Sequence, residues 1–259
     1  MTYIIAVGNQ KGGVAKTTTV MSLGGALAEM GLSVLLVDLD AQANLTLSTG
    51  ADPARMRGTI ADVLMQTANL YSVSRETSIP GMDFVPANTE MELAERFLPV
   101  RQNFESILRS AFNGQKAYDY AVLDCPPSLG SVTQNALNAA QMLIIPTQAE
   151  YFSAHALRSM LGATRRIREK LNPALVTRIL ITMFDTRNRI HREIAEQLKT
   201  TFSDKLFETM IQLDTKLRES AVAGLPITHY LSHTRGTLQY RALAQEIVQY
   251  VQETAQQPD

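Results

Sequence analysis

The sequence predicts an α/β protein built on a single doubly wound, mostly parallel sheet with helices on both faces. Three observations lead there. Short apolar runs recur at Tyr3 to Val7, Val34 to Val37, Asp83 to Pro86, Tyr120 to Leu123, Met142 to Ile145 and Ile179 to Met183. These runs are rich in Val, Ile and Leu and do not alternate with polar residues, which suits strands buried on both faces of a parallel sheet. Helical patterns separate them, and no repeat, low-complexity tract or long linker divides the chain.

In chain order, the first strand runs into a glycine-bearing loop. Thr17 to Met30 then reads as a helix, with Val20, Leu23, Leu27 and Met30 on one face and Gly31 as the stop. From Ala51 to Phe104 the pattern is least regular, and a helix or two and a short strand are expected there. Ala154 to Leu171 is a long amphipathic helix ended by Asn172-Pro173, and Thr237 to Gln252 is another. Residues 1–254 form one domain on this reading, and 255–259 a frayed tail.

Composition narrows the function classes. A single cysteine, Cys125, excludes a disulfide framework and a Cys-rich zinc site and makes a reducing cytoplasm the expected location. No run approaches the roughly eighteen apolar residues of a spanning helix, and the first residues lack a basic leader pattern, so neither secretion nor membrane spanning is expected. The formal net charge of −1 hides an asymmetry: residues 1–157 hold 9 Lys and Arg against 14 Asp and Glu, whereas residues 158–241 hold 15 against 8. Such a basic half suits a polyanionic partner, and equally a set of solvated helix faces.

The chemistry lies in the loop Lys11-Gly12-Gly13-Val14-Ala15-Lys16-Thr17-Thr18. A strand, a glycine loop and a helix start bring backbone N–H groups together at a helix N-terminus, where phosphate binds, and a lysine reaches the terminal phosphates. The ordinary pattern G-x-x-x-x-G-K-[ST] fails twice, because Gln10 and Ala15 stand where it wants glycine. What fits is the deviant Walker A form, K-G-G-x-[GA]-K-T. It is followed by Val37-Asp-Leu-Asp-Ala-Gln42 and by Leu123-Asp-Cys-Pro-Pro-Ser128, each after an apolar strand.

With these three motifs, and over Ile4 to about Val251, the chain resembles the ParA/MinD family of ATPases, in particular the small, Soj-like ParA partition ATPases. The resemblance implies a P-loop NTPase fold, ATP and Mg²⁺ as cofactors, and slow hydrolysis to ADP and phosphate. By that resemblance Lys16 contacts the β- and γ-phosphates and Thr17 binds Mg²⁺. Lys11 crosses a homodimer interface to the partner's nucleotide, in the manner of an arginine finger; a solvated loop lysine is the plainer alternative. Asp40 positions the attacking water, Asp38 supports the Mg²⁺ shell, and Asp124 matches a Walker B acid. Helix or loop capping carboxylates are the plainer alternative for Asp38 and Asp40. Glu150 corresponds to a family residue near the ribose or the dimer interface. Adenine is expected beside Met183 and the loop Ile211 to Asp214, where Gln212 and Asp214 replace the usual proline and asparagine. Ala15 in place of glycine is tolerable if its φ is negative.

Relatives of this kind bind DNA without sequence preference through basic residues, here Arg187, Arg189, Arg192, Lys216, Arg218 and Arg235, although Arg189 also has Glu193 four residues on. The expected protein is a nucleoid-associated homodimer sandwiching ATP, with a ParB-like adaptor stimulating hydrolysis and no membrane contact. The rival, a MinD-like membrane-surface ATPase, needs a basic C-terminal amphipathic helix, whereas residues 239–259 carry three acids and one arginine.

Overall fold

A computed structural model describes residues 1–113, 118–150 and 153–256. Among them, the strands are β1 (Tyr3–Val7), β2 (Val34–Asp38), β3 (Arg75–Glu76), β4 (Met82–Val85), β5 (Tyr120–Asp124), β6 (Met142–Gln148) and β7 (Val176–Thr182). They form one sheet in the order β3-β4-β2-β5-β1-β6-β7. Every neighbouring pair is parallel except β3 with β4. The helices are α1 (Lys16–Glu29), α2 (Asn44–Ser48), α3 (Ile60–Leu64), α4 (Met91–Phe97), α5 (Ile107–Ala111), α6 (Ser131–Ala139), α7 (Ser153–Lys170), α8 (Arg189–Phe202), α9 (Lys216–Val222), α10 (Ile227–Tyr230) and α11 (Arg235–Gln256).

The expected runs become the six parallel strands. β6 continues to Gln148, beyond the apolar run, and delivers that side chain to the phosphate loop. β3, two residues at the sheet edge, carries no run long enough to be read. The last helix reaches Gln256, two residues into the expected tail, and residues 257–259 lie outside the described residues.

Alternate residues of each central strand feed two cores, because side chains leave a strand on opposite faces. Ile5, Val7, Leu36, Val122 and Ile144 pack with α1 and α11. Ile4, Ala6, Leu35, Val37, Leu123 and Ile145 pack with α4, α6 and α7. On the first face α11 is pinned to α1 twice. The buried Tyr240 hydroxyl pairs with Thr19 Oγ1 at 3.1 Å, and Arg241 forks onto Glu29 at 2.8 and 2.9 Å.

On the other face a distant carboxylate starts α6. Glu95 of α4 accepts from the N–H groups of Ser131 and Val132, both at 2.9 Å, and so satisfies donors that the helix itself cannot. Gly130 makes room for it, since a Cβ there would stand 1.6 Å from Glu95 Oε1. The pairing fixes the chain as it leaves β5 through Pro126-Pro127. Replacement Glu95→Ala is expected to lower unfolding stability by about 1–3 kcal/mol. Urea denaturation checks this, and a loss below about 0.5 kcal/mol would show that water replaces the carboxylate at no cost.

Candidate active site

Four strands, β1, β2, β5 and β6, end at one edge of the sheet, and the loops leaving them meet there. That is where a doubly wound sheet binds ligands. Leaving β1, the chain turns through Gly13 at φ 72° and Ala15 at φ 67° before α1 begins. The expectation of a negative φ at Ala15 is thus overturned: the residue takes the left-handed conformation that favours glycine. The turn points the first N–H groups of α1 outward, and no side chain caps them. An uncapped helix start of this kind is an anion site.

Thr17 Oγ1 donates to Asp124 Oδ2 at 2.6 Å. The other oxygen, Asp124 Oδ1, is buried with no hydrogen-bond partner among the described residues. Burial first, then the charge of Asp38, hold the Asp124 carboxyl well above the usual range, while Thr17 and Lys16 pull it down. In register beside it is Asp38, fully buried. Asp38 Oδ2 accepts from Thr46 N–H and Oγ1 at 2.8 and 2.7 Å, and Oδ1 from Asp40 N–H at 3.2 Å. Burial raises its carboxyl to about 6 against those bonds. Asp38 was expected to face the site alongside Asp40, but its oxygens are committed to the backbone and side chain of the following turn. Asp40 lies past the end of β2, half-buried, on the wall of a cleft shared with Gly12, Gly13, Lys16, Thr17 and Asn44.

Lys11 is held in its own subunit. Its Nζ pairs with Glu150 at 2.5 Å and donates to Gln148 Oε1 at 3.0 Å. The Gln148 amide also donates to Gly13 O at 3.2 Å and packs on the sulfur of Met183. Gln148 was not singled out from the sequence. Its one signal was its place at the end of a strand that extends past its apolar run. Tyr151 and Phe152, which follow Glu150, lie outside the described residues.

Beside the phosphate cleft opens a second cavity of about 220 Å³, between Met183, Ile211 to Asp214, Leu217 and Tyr240. Ala15, Thr18, Met183, Arg218 and Ala221 line both. The expected Met183 and Gln212 are on its wall. Asp214 is there too, but its carboxylate braces two helix starts, accepting from Lys216 N–H at 2.9 Å and Gly236 N–H at 3.0 Å. Val14, also expected at the phosphates, is buried, and its carbonyl accepts from Thr182 Oγ1.

The basic candidates divide. Arg187 pairs with Asp185, Arg189 with Glu193 and Lys216 with Glu219. Arg192 donates to the Thr186 carbonyl. Arg218 stands over both cavities, and Arg235 opens α11. Arg192, Arg218 and Arg235 have no acidic partner among the described residues, and neither do Arg158, Arg166, Arg168 and Lys170 of α7, a row that the sequence reading did not single out. No group of three or more His, Cys, Asp or Glu that could hold a metal occurs among the described residues. No described helix is long and apolar enough to cross a membrane.

Fold and loop together define a nucleotide-binding α/β protein of the P-loop class. Residues 2–177 match the family model described as an AAA domain. The chain is 40% identical to the chromosome-partitioning ATPase Soj of Treponema pallidum over 243 residues, 93% of this chain and 94% of the relative. It is 35% identical to the chromosome partitioning protein ParA of Caulobacter vibrioides over 249 residues, 95% of this chain and 93% of the relative. A solved structure of cobyrinic acid a,c-diamide synthase from Mycobacterium smegmatis, with bound ATP analogue and magnesium, matches with a TM-score of 0.86 at 32% identity. It covers 100% of this chain and 99% of that one. The chain belongs to the ParA/MinD family of P-loop ATPases.

The strained alanine gives this site a direct test. Ala15→Gly is expected to stabilise the protein by about 0.5–1 kcal/mol, because relief of the left-handed penalty exceeds the extra freedom that glycine gives the unfolded chain. A urea midpoint that stays put or falls would mean that the turn at Ala15 is not strained.

Proposed function

We propose that this chain is a partition-type ATPase, in which ATP drives dimerisation and DNA binding, and hydrolysis, stimulated by an adaptor, releases the complex to move DNA or another cargo. The observation that carries this reading is the uncapped start of α1, where Lys16 and Asp40 line one cleft and the loop that leads into it begins with Lys11. The triphosphate lies on the α1 N-terminus, with Lys16 at its β- and γ-phosphates. Thr17 and Asp124 hold Mg²⁺. The unpaired Oδ1 of Asp124 fits a divalent cation, and a hydroxyl with one carboxylate is the sparse protein set that Mg²⁺ takes when phosphates supply the rest. A cation held by Thr17 and Asp124 would supply charge neutralisation at the phosphates. Asp40 orients the attacking water. Lys11 leaves Glu150 and Gln148 and reaches the partner subunit's nucleotide, stabilising the charge that develops there.

Two other readings have less support. A membrane-surface role needs a free amphipathic C-terminal helix, but Tyr240, Leu243, Ala244 and Ile247 of α11 are buried in the core and Arg241 is tied to Glu29. Amide synthesis, the activity in the solved neighbour's name, needs an ammonia source. A cysteine nucleophile for glutamine is not at hand, since Cys125 is fully buried and burial pushes its thiol far up.

The pair Lys16→Ala and Asp40→Ala separates binding from chemistry. Lys16→Ala is expected to lose ATP binding or dimerisation. Asp40→Ala is expected to form ATP-dependent dimers by light scattering and to lower phosphate release at least about a hundredfold; normal turnover in that variant would remove Asp40 from the reaction.

DNA binding is expected only with ATP, and to fall steeply with salt, by close to one power of the salt concentration for each phosphate neutralised. Fluorescence anisotropy on random duplex DNA reads both. Equal affinity with ATP, ADP and no nucleotide would rule out the switch.

A further inference from the structure

The loop between β1 and α1 is held from behind by the ends of two strands. Gln148 and Thr182, the last residues of β6 and β7, are partners in register. Gln148 Nε2 donates to the Gly13 carbonyl at 3.2 Å, and Thr182 Oγ1 donates to the next carbonyl, that of Val14, at 3.1 Å. Thr182 is fully buried and Gln148 half-buried. The entry to the loop is tied to β6 as well, through the buried Asn9. Its Nδ2 donates to the Pro146 carbonyl at 2.7 Å, and its Oδ1 accepts from the Lys11 N–H at 3.0 Å.

The effect of these bonds follows from the peptide group itself. No cis peptide bond occurs among the described residues, and in a trans peptide the C=O and the following N–H point in opposite directions. A bond that draws the Gly13 carbonyl towards Gln148 therefore turns the Val14 N–H away from Gln148. The bond that draws the Val14 carbonyl towards Thr182 turns the Ala15 N–H away from Thr182 in the same manner. Neither N–H donates to any atom among the described residues. Two consecutive donors, free at one end of their peptide planes and fixed at the other, are preorganised for anionic oxygens. Packing cannot supply that order, because nothing lies within 4 Å of where a Cβ would stand on Gly12 or Gly13.

We propose that Gln148 and Thr182 are positioning residues for the ATPase reaction, setting the affinity for the phosphates by fixing the Gly13–Val14 and Val14–Ala15 peptide planes. The inference rests on the proposed placement of the triphosphate at the start of α1. Thr182 is the cleaner of the two, since its hydroxyl makes no other hydrogen bond among the described residues. The Gln148 amide also accepts from Lys11 and meets the Met183 sulfur.

Thr182→Val keeps the shape and removes the donor, Thr182→Ser keeps the donor, and Gln148→Met keeps the length and removes the amide. The test is equilibrium binding of mant-ATP with Mg²⁺ to each full chain, at a temperature where thermal melting shows it folded. Displacement of mant-ATP by inorganic triphosphate, which has no base, is measured beside it. Thr182→Val is expected to weaken mant-ATP about tenfold, in line with the loss of one hydrogen bond that orders a binding group, and Thr182→Ser to restore it to within about twofold. Gln148→Met is expected to weaken it about threefold or more. Inorganic triphosphate is expected to weaken by the same factor as mant-ATP in each variant. A purely structural role would lower the melting temperature and leave both affinities of the folded chain at their wild-type values, and that result overturns the assignment. So does a loss confined to mant-ATP, which would trace the effect to Met183 and the second cavity. Should Thr182→Val fail to fold, Gln148→Met decides alone. Failure of folded wild type to bind mant-ATP at all overturns the phosphate reading itself, whereas normal binding by wild type and by both folded variants overturns the positioning role and leaves that reading standing.

Discussion

Two carboxylates, Asp38 and Asp124, lie side by side and fully buried at the edge where β2 and β5 end, and much of the surrounding structure exists to satisfy them. Burying one ionised carboxylate is costly and burying two as neighbours more so, which is why both are held above their ordinary titration range. Each therefore recruits a threonine. Thr46 gives Asp38 both its N–H and its hydroxyl, and the same hydroxyl accepts from Ala87 N–H at 3.0 Å, so β2, α2 and the chain leaving β4 meet at one oxygen. Thr17 gives Asp124 its hydroxyl and so draws the start of α1 against β5. The asymmetry matters chemically. Asp38 is satisfied by the protein alone, whereas Asp124 keeps one buried oxygen without a partner among the described residues.

Lys11 is held much less firmly. Its ion pair with Glu150 joins side chains 33% and 49% exposed, a situation in which an ion pair contributes little, about 0–1 kcal/mol. A tether that weak orders the lysine without trapping it. Gln148 does more than hold the amine, because the same amide bonds the Gly13 carbonyl and packs on Met183, which itself sits at the unfavourable φ of 52°. The loop, Lys11 and the wall of the second cavity thus share one side chain.

Much of this was legible in the sequence. The six parallel strands and the long helices followed from apolar runs and periodicity, since burial on both faces leaves a plain trace. The phosphate loop was legible because its chemistry is local: a lysine, two glycines and a helix start lie within eight residues. What could not be read depends on contacts between residues far apart in the chain. Glu95 capping α6 is a contact across 36 residues, and Gln148 on Gly13 one across 135. β3 lacks a periodic signal because two edge residues have no period. The φ of Ala15 was misjudged because an alanine in a glycine's place suggests an ordinary turn, whereas the convergence of N–H groups on one point requires the left-handed one.

Asp38 and Asp214 show the same limit from the other side. Their positions in the motif and in the loop Ile211 to Asp214 suggested ligand contacts, yet their oxygens accept from nearby N–H groups and, for Asp38, the Thr46 hydroxyl, Asp38 closing the turn into α2 and Asp214 joining the starts of α9 and α11. The Asp214 brace has a mechanical consequence for the proposed switch. Arg218 grows from α9 over both cavities, and Arg235 begins α11 beside Gly236, whose N–H Asp214 holds. Arg218 is thus set on the wall of both cavities, whereas Arg235, one residue before Gly236, lines neither. Asp214 ties the start of α9, which carries Arg218, to the start of α11. Coupling of that kind needs only a rigid brace, and one buried-side carboxylate with two charge-assisted bonds is an efficient way to make one.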